Sequence, residues 1–443
     1  MSTLIKNARL VNEGSIAEAD LRIVDKRIDK IGTDITAQPE DKIVDAGGCL
    51  LLPGMIDDQV HFREPGLTHK GSIASESRAA VAGGITSYME MPNVSPATTT
   101  IQALEQKYAI AAASSVANYA FYLGATEDNL GQIKLLDPSK HCGVKVFMGA
   151  STGDLLVEHP QALEAIFRES PVLIVTHCES SPIIRDNRAA LLREKASLSI
   201  EDHPKLRDAN ACYASSSYAV GLAKQYGSHL HVLHITTEKE LALFQAGPVQ
   251  TKRITAEACV HHLWFTDQDY ARLGSLIKCN PAIKSQRDRD ALIKALHTNQ
   301  IDIIATDHAP HTWDEKQLDF EQAPAGMPLV QHALLSLLEQ VNRERLSLIQ
   351  VVEKTAHNPA LRYGVVDRGY IREGYYADLV LVNDLATTTV TRDNTLYRCA
   401  WSPFESETFS AQIVSTWVNG RQVYGRDGLV VDRIVSMPLA FSR

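Results

Sequence analysis

Between about residues 53 and 365, short runs of apolar residues alternate with segments whose apolar positions recur three and four apart. This rhythm is typical of βαβ units that assemble into a parallel sheet. The apolar runs show little polar alternation, so they read as strands buried on both faces. Eight such units favour a closed (β/α)8 barrel, the TIM-type α/β fold. The predicted strands are Leu50–His61, Thr86–Asn93, Ala117–Leu123, Gly143–Met148, Val172–His177, His229–His234, Arg253–Val260 and Ile301–Asp307. The predicted helices are Ser72–Ala82, Ile101–Ser114, Pro160–Arg168, Ser215–Gln225, Glu238–Ala246, Asp288–His297 and Leu329–Val341.

Both ends of the chain have a different pattern, in which short β-prone pieces are separated by polar breaks that contain glycine. Residues 4–11, 20–24 and 42–45 are such pieces near the start, and 377–382 and 413–421 near the end. Because the two ends of a domain often lie close together, we expect them to combine. The prediction is a composite β-sandwich of residues 1–52 and 366–443 beside a barrel of residues 53–365.

Composition and charge argue against a nucleic-acid-binding or membrane protein and favour a cytoplasmic one. The chain has 443 residues, 44% of them hydrophobic, and a formal net charge of -9. An acidic chain without a basic patch is not expected to bind nucleic acid. The seven cysteines are scattered and never spaced as C-x-x-C, which favours reduced thiols in a cytoplasmic protein. No secretory signal or membrane-spanning apolar run is visible, so we expect no membrane association.

Polar and ionisable residues stand at the carboxyl ends of the predicted strands. Gln59, His61 and Arg63 are spaced two apart, so they would project from one face at the end of the first strand. In a barrel these strand ends form one rim, where the chemistry of the fold is placed. Three imidazoles and a carboxylate make a set of nitrogen and oxygen ligands for zinc or a similar divalent ion. The strand-end residues are His61, Asn93, Lys145, His177, His234 and Asp307.

Each of these residues also has an ordinary structural explanation. A single histidine at a strand end is more often a hydrogen-bonded structural residue than a ligand, and Asp307 could cap the next turn. Lys145 could extend its amine to the barrel mouth, but an ammonium group inside an apolar strand is costly unless it is paired, neutralised or used chemically. The whole set at matching strand ends favours an active site over these separate explanations.

Several motifs resemble the amidohydrolase superfamily and, within it, the dihydroorotase family. The resemblance spans nearly the full chain and keeps the order of the family's motifs. The matching segments are Pro53–Asp57, Val60–Gly66, Met91–Asn93, Lys145, Phe147–Ala150, Thr176–Glu179, His231–Thr237, Asn280–Pro281, Asp307–His311 and Ala377–Val380.

The resemblance implies a metal-dependent cyclic amidohydrolase with one or two zinc ions. Lys145 would carry a carbamate that bridges the ions, and His61, His177, His234 and Asp307 would be the other protein ligands. A metal-bound hydroxide would attack the ring amide, with Asp307 as general base and then general acid. The implied reaction interconverts L-dihydroorotate and N-carbamoyl-L-aspartate in de novo pyrimidine biosynthesis.

Arg63 points to the substrate class. Dihydroorotate carries a carboxylate that hydantoins and allantoin lack, and a guanidinium two residues beyond a ligand can grip it with two hydrogen bonds. The alternative for Arg63 is a surface ion pair. By the resemblance, Asn93 and His311 are further carboxylate contacts and Asn280 a contact to the ring. Residues 312–326 are a candidate lid.

Gln59 departs from the family, whose two-metal members normally have a histidine there. An amide oxygen binds transition ions less well than imidazole. Three outcomes stay open: a weakened first metal, an enzyme with one metal, or a non-catalytic scaffold for aspartate transcarbamoylase. A hydantoinase or allantoinase is the alternative enzyme. A homodimer is the expected assembly, and association with aspartate transcarbamoylase is a further expectation.

Overall fold

The computed structural model describes residues 2–149, 155–430 and 434–443, so Ala150 of the quoted motifs lies outside the described residues. The central part is a barrel of parallel strands, in which one sheet has the order β14-β13-β12-β11-β10-β9 and another the order β6-β7-β8. A parallel bridge between Val60 and His308 joins the first and last strands. The barrel has eight strand positions, and the third, predicted as Ala117–Leu123, is interrupted at Tyr122, so that β8 pairs with β7 and β9 pairs with β10. The barrel strands are β6 (Met55–Val60), β7 (Ile85–Glu90), β8 (Asn118–Phe121), β9 (Leu123–Gly124), β10 (Val144–Met148), β11 (Ile174–Cys178), β12 (Leu230–Val232), β13 (Ile254–Cys259) and β14 (Ile303–Ala305).

The first predicted strand, Leu50–His61, is two strands in the structure. Leu50–Pro53 (β5) pairs outside the barrel with strands of the two chain ends, and only Met55–Val60 enters the barrel. Gly54 separates them at a point where a Cβ atom would lie 2.2 Å from the Thr86 side chain. A side chain at this position would therefore force the first two barrel strands apart.

Strands from both chain ends form one nine-stranded sheet with the order β20-β19-β18-β15-β5-β1-β2-β3, in which β4 pairs with β1. The fold is thus a (β/α)8 barrel with a β-sandwich built from the two chain ends. The strands of this part are β1 (Ser2–Asn12), β2 (Ser15–Val24), β3 (Arg27–Gly32), β4 (Asp41–Asp45), β5 (Leu50–Pro53), β15 (Leu379–Asn383), β18 (Gln412–Val418), β19 (Arg421–Gly425) and β20 (Gly428–Leu429). A separate hairpin pairs β16 (Thr388–Thr389) with β17 (Thr408–Phe409).

The helices follow the predicted apolar periodicity in most places. Ile101–Ser114 forms as predicted, and the helices predicted at Ser72–Ala82, Pro160–Arg168 and Asp288–His297 differ by one or two residues at an end. The helix predicted at Ser215–Gln225 begins earlier, at Ala209, and the one predicted at Leu329–Val341 begins later, at Ala333. The segment predicted as a helix at Glu238–Ala246 is instead a 3-10 helix over Glu238–Leu243. The α-helices are α1 (Ile73–Ala82), α2 (Ile101–Ser114), α3 (Leu130–Ile133), α4 (Pro160–Glu169), α5 (Ser181–Glu194), α6 (His203–Leu206), α7 (Ala209–Tyr226), α8 (Val260–Trp264), α9 (Tyr270–Leu273), α10 (Gln286–His297), α11 (Trp313–Lys316), α12 (Ala333–Asn342), α13 (Leu348–Val352) and α14 (Asn358–Tyr363).

Apolar side chains fill much of the barrel interior, whereas the mouth at the carboxyl ends of the strands is polar. Ile56, Met89, Tyr122 and Tyr363 belong to a buried cluster inside the strands, and Phe441 near the chain end joins it. The barrel is therefore a packed core with a functional mouth, as expected for this fold. Among the described residues, none of the helices combines the length and the apolar character needed to cross a bilayer.

Candidate active site

A cavity of about 290 Å³ opens at the carboxyl ends of the barrel strands. The structure places every predicted metal and substrate residue in its wall, although they come from segments up to 250 residues apart. Side chains from six strand ends and from the loops after them meet here because the barrel closes. The lining residues are Gln59, His61, Arg63, Asn93, Lys145, Phe147, His177, His234, Asn280, Asp307, Ala309, His311, Pro324, Ala325 and Gly326.

His177 and His234 form one pair in the cavity. Nδ1 of His177 lies 3.1 Å from Nε2 of His234, and the two rings are nearly perpendicular. Nε2 of His177 lies 2.9 Å from the Glu179 carboxylate, which also pairs with Arg207. This acceptor fixes the tautomer of His177, with the proton on Nε2 and the lone pair on Nδ1. Burial lowers the pKa of both histidines, so the rings are neutral and able to bind a metal.

Glu179 is a supporting residue that the sequence predictions did not single out. Burial by itself would raise the pKa of its carboxyl group, but Arg207 and His177 together lower that pKa to about 2. Glu179 is therefore a permanent anion behind the histidine pair. The sequence did contain a signal for this contact. Glu179 lies two residues after the strand-end His177, and side chains two apart in an extended chain point to the same face.

His61 and Asp307 form a second pair. Nε2 of His61 lies 3.0 Å from Oδ1 of Asp307, and Nδ1 of His61 lies 2.7 Å from the side-chain oxygen of Asn93. Burial alone would raise the pKa of Asp307, but hydrogen bonding and charge from His61, with His261 and Lys145, lower it. Asp307 is thus an ionised carboxylate in the wall of a largely buried site.

The side-chain amide of Gln59 turns its nitrogen, and not its oxygen, toward Asp307. Its Nε2 donates to Oδ1 of Asp307 at 3.1 Å, and its Oε1 lies 3.8 Å from the thiol of Cys259. The amide nitrogen, which cannot bind a metal, therefore faces the acidic residue of the site. In this structure Gln59 orients Asp307 rather than presenting an oxygen ligand beside His61.

Lys145 lies in the middle of the rim and is 1% exposed. Burial lowers its pKa to about 8, although the charges of Asp307 and Glu257 favour the ammonium form. Its Nζ lies 4.7 Å from the centre of the Phe147 ring. A substantial fraction of the amine is therefore neutral near pH 8, which is the form that reacts with carbon dioxide.

Arg63 does not form the surface ion pair that was its alternative explanation. The side chain is buried, and its Nε donates to the carbonyl of Pro310 at 3.1 Å. Its Nη2 lies 3.0 Å from Nε2 of His311, and among the described residues no carboxylate pairs with it. Burial lowers the pKa of Arg63 to about 10, so the guanidinium stays charged at neutral pH. A buried cation without an anion partner is suited to an anionic ligand.

Three residues of the site have left-handed backbone conformations. The φ angles are 73° for Arg63, 39° for His234 and 50° for Asp307. Residues other than glycine rarely adopt such angles, and they cluster at functional sites where the surrounding structure holds them. These angles turn the side chains at the strand ends toward the common cavity.

A buried lysine within the candidate lid, Lys316, connects the end of that segment to Lys278. Nζ of Lys316 donates to the carbonyls of Pro324 and Gly326 at 2.8 Å, and to that of Lys278 at 3.2 Å. Pro324 and Gly326 line the cavity, as does Asn280, whose buried side-chain oxygen has no hydrogen-bond partner in the part of the chain that the structure describes. The end of the segment therefore forms part of the cavity wall, and the Asn280 oxygen is an acceptor that a ligand could use.

Comparison with known proteins shows which family the chain belongs to. Residues 50–423 match the amidohydrolase family model. The chain is 35% identical over 427 residues to a dihydroorotase from Halobacterium salinarum, covering 95% of this chain and 97% of that protein. It is 32% identical to an allantoinase from Rubrobacter xylanophilus, covering 95% and 94% of the two chains. An L-hydantoinase structure from Arthrobacter aurescens superposes with a TM-score of 0.93 at 26% identity, covering 99% of both chains. The chain belongs to the amidohydrolase family.

Proposed function

We propose that this protein is a dihydroorotase, which interconverts L-dihydroorotate and N-carbamoyl-L-aspartate in pyrimidine biosynthesis. Four relatives at 31–35% identity carry the name dihydroorotase, and each match covers at least 87% of this chain. The observation that carries the proposal is the buried guanidinium of Arg63 in the wall of the cavity, which has no carboxylate partner among the residues that the structure describes. It supplies the fixed positive charge that a substrate carboxylate requires.

The residues present fit the divalent metal on which enzymes of this family depend. The lone pair of His177 Nδ1 lies 3.1 Å from the ring nitrogen of His234, a spacing that suits two ligands of one ion. His61, Asp307 and Lys145 would complete the ligand set, with Lys145 as its carbamate. We propose zinc for this site, and nitrogen and oxygen ligands of this kind suit it. When bound, the metal lowers the pKa of a water molecule and polarises the substrate carbonyl.

Asp307 is the proposed proton carrier. Gln59 and His61 both contact Oδ1, so we assign the transfer to Oδ2. In the direction of hydrolysis Oδ2 accepts a proton from the attacking water and then delivers it to the ring nitrogen as the amide bond breaks. In biosynthesis the same oxygen takes a proton from the ureido nitrogen while water leaves the side-chain carboxyl group of carbamoyl aspartate.

The substrate is held by its carboxylate. Arg63 offers the guanidinium, and the ring of His311 lies between Arg63 and Lys70, with Nδ1 3.1 Å from the Lys70 amine. Asn93 and the unpartnered oxygen of Asn280 are the proposed polar contacts to the rest of the substrate. Orientation by fixed groups of this kind lowers the barrier by holding reacting atoms in place.

An assay with a panel of cyclic amides tests the proposed function. Purified enzyme supplied with zinc and bicarbonate should interconvert dihydroorotate and carbamoyl aspartate, and it should prefer dihydroorotate to hydantoin and allantoin. Preference for the uncharged rings would instead support the hydantoinase or allantoinase alternative. Two of the similar proteins carry the name allantoinase. No turnover of any cyclic amide would support a non-catalytic scaffold.

A substitution at Gln59 separates its two possible roles. Gln59→Leu removes the hydrogen bond to Asp307 but little volume, so kcat should fall roughly tenfold, the value of about one such bond. Zinc content should stay at the wild-type level, because the amide nitrogen and not the oxygen faces the site. Zinc measured by mass spectrometry checks this result, and loss of an ion would show that Gln59 is a ligand.

Glu179 should control how tightly the histidine pair holds a metal. Glu179→Gln keeps an acceptor for His177 but removes the charge that Arg207 and His177 face. Apparent zinc affinity should fall by roughly 10- to 100-fold, the usual effect of losing a residue that supports a metal ligand. Competition with a chelator measures the affinity. Glu194→Gln on the exposed face of α5 is the matched control and should leave it unchanged.

The domain bounds, the cellular location and the assembly stay predictions from the sequence. The predicted domains are a β-sandwich of residues 1–52 and 366–443 and a barrel of residues 53–365. The predicted location is the cytoplasm, and the predicted partners are a second copy of the chain, aspartate transcarbamoylase and a small-molecule substrate.

A further inference from the structure

A second group of ionisable side chains lies inside the barrel, below the cavity. It consists of Asp58 on β6, His231 on β12 and Glu257 on β13, and all three are 0% exposed. One ligand atom from each lies within 4.8 Å of the others. None of these residues has a role in the proposed reaction, so the cluster needs its own explanation.

The contacts inside the cluster are close but are not hydrogen bonds. Nε2 of His231 lies 3.3 Å from Oδ2 of Asp58 and 3.6 Å from Oε2 of Glu257, yet it forms a hydrogen bond with neither. Within residues 2–149, 155–430 and 434–443, Oδ1 of Asp58 and Oε2 of Glu257 also have no hydrogen-bond partner. Oδ2 of Asp58, the oxygen nearest to His231, accepts a hydrogen bond from the hydroxyl of Tyr363 at 2.9 Å. Each of the three residues thus keeps one buried polar atom without a hydrogen-bond partner among the described residues, and such atoms are costly in a protein interior.

The other ring nitrogen of His231 indicates where the proton is. Nδ1 lies 2.8 Å from the hydroxyl of Thr255, which in turn donates to the carbonyl of Leu230. The Thr255 oxygen is therefore the acceptor for Nδ1–H. Burial alone would lower the pKa of His231, but Asp58 and Glu257 raise it to about 9, so without a metal Nε2 carries a second proton that faces both carboxylates. A divalent cation could replace that proton, with the Nε2 lone pair and one oxygen of each carboxylate as its ligands.

We propose that Asp58, His231 and Glu257 hold a structural divalent cation of the zinc type, separate from the metal of the active site. Bonds of about 2.1 Å in tetrahedral geometry place ligand atoms roughly 3.4 Å apart, close to the two distances from His231. Two carboxylates and a neutral imidazole around a divalent ion have no net charge. Without the ion, two ionised carboxylates and an imidazolium keep one negative charge, unless Glu257, whose pKa is raised by burial and by Asp58, takes up a proton. Burial favours the neutral arrangement.

The cluster also has a mechanical connection to the active site. Oε1 of Glu257 accepts the backbone N–H of His234 at 3.1 Å, where the chain has its left-handed φ of 39°. A metal bound to the other carboxylate oxygen would fix Glu257 and, through it, the backbone that presents His234. We therefore expect the buried ion to support the histidine pair from below, without touching the substrate.

Crystals of the wild-type holoenzyme test the inference without any substitution. Anomalous difference maps on either side of the zinc absorption edge should show a peak between Asp58, His231 and Glu257. Ordinary density there without an anomalous peak, or no density at all, would overturn the proposal. This result does not depend on activity, and a protein without dihydroorotase activity could still show the peak.

Metal analysis in solution gives an independent check. Because the cluster has no exposed atoms, dialysis against dipicolinate should remove the rim metal and leave about one ion per chain. His177→Ala should keep this resistant ion, whereas Asp58→Asn and Glu257→Gln should each lose it. Circular dichroism verifies that the variants fold. A resistant ion that survives in both folded variants, or none in the wild type, would contradict the proposal.

Discussion

Arg63→Met should abolish most turnover of dihydroorotate while leaving the fold and the metal content unchanged. The guanidinium is buried, and no carboxylate among the described residues pairs with it. A substrate carboxylate would therefore be its anionic partner. Loss of two charge-assisted hydrogen bonds should lower kcat/KM by roughly 100- to 10,000-fold. Steady-state kinetics with dihydroorotate and carbamoyl aspartate measure the effect.

Two comparisons make this experiment specific. Arg63→Lys should recover only a small part of the activity, because an ammonium group cannot form the two-pronged contact of a guanidinium. Arg193→Met, on the exposed face of α5, is the matched control and should behave like the wild type. Unchanged kinetics in Arg63→Met would remove the main structural reason for assigning a carboxylate-bearing substrate.

Asp307→Asn should have the second large effect. The amide keeps the size of the side chain, and it can still accept a hydrogen bond from Gln59 or His61. It cannot take up a proton, however, so the general base and acid of the proposed reaction is lost. A fall in kcat of roughly 100- to 10,000-fold is expected from this step alone. Loss of a metal ligand would add to it.

The metal content distinguishes these two contributions. If Asp307→Asn keeps its zinc but loses turnover, proton transfer is the principal role of the side chain. If zinc is lost together with activity, metal binding is the principal role. Wild-type turnover in this variant would contradict both assignments and would remove Asp307 from the reaction.

The sequence predicted the barrel well because its strands are short apolar runs and its chemistry stands at their ends. It failed where local pattern and tertiary context disagree. Leu50–Pro53 is as apolar as the strand that follows, but Gly54 lets the chain leave one sheet and enter another. The helix Ser181–Glu194 was not predicted, since it has no buried residues and therefore no apolar stripe.

The site was predictable as a set of residues and not as a set of contacts. His61 and Asp307 follow the first and last barrel strands, and closure of the barrel brings the carboxyl ends of all its strands to one rim. Their proximity could therefore be predicted without knowing their contacts. The direction of the Gln59 amide depends on Cys259, which is 200 residues away in the sequence. Likewise, Asp58 and Glu257 stand in ordinary-looking strands, and only the three-dimensional structure shows that they face His231.

The most direct test of the account is a crystal structure of the holoenzyme with anomalous data, viewed at the rim of the barrel. We predict a metal peak within bonding distance of His177 Nδ1 and His234 Nε2, and electron density that extends beyond Nζ of Lys145 as a carbamate. A rim without a metal peak, with a bare Lys145 amine and those two histidines hydrogen-bonded only to protein or water, would contradict it.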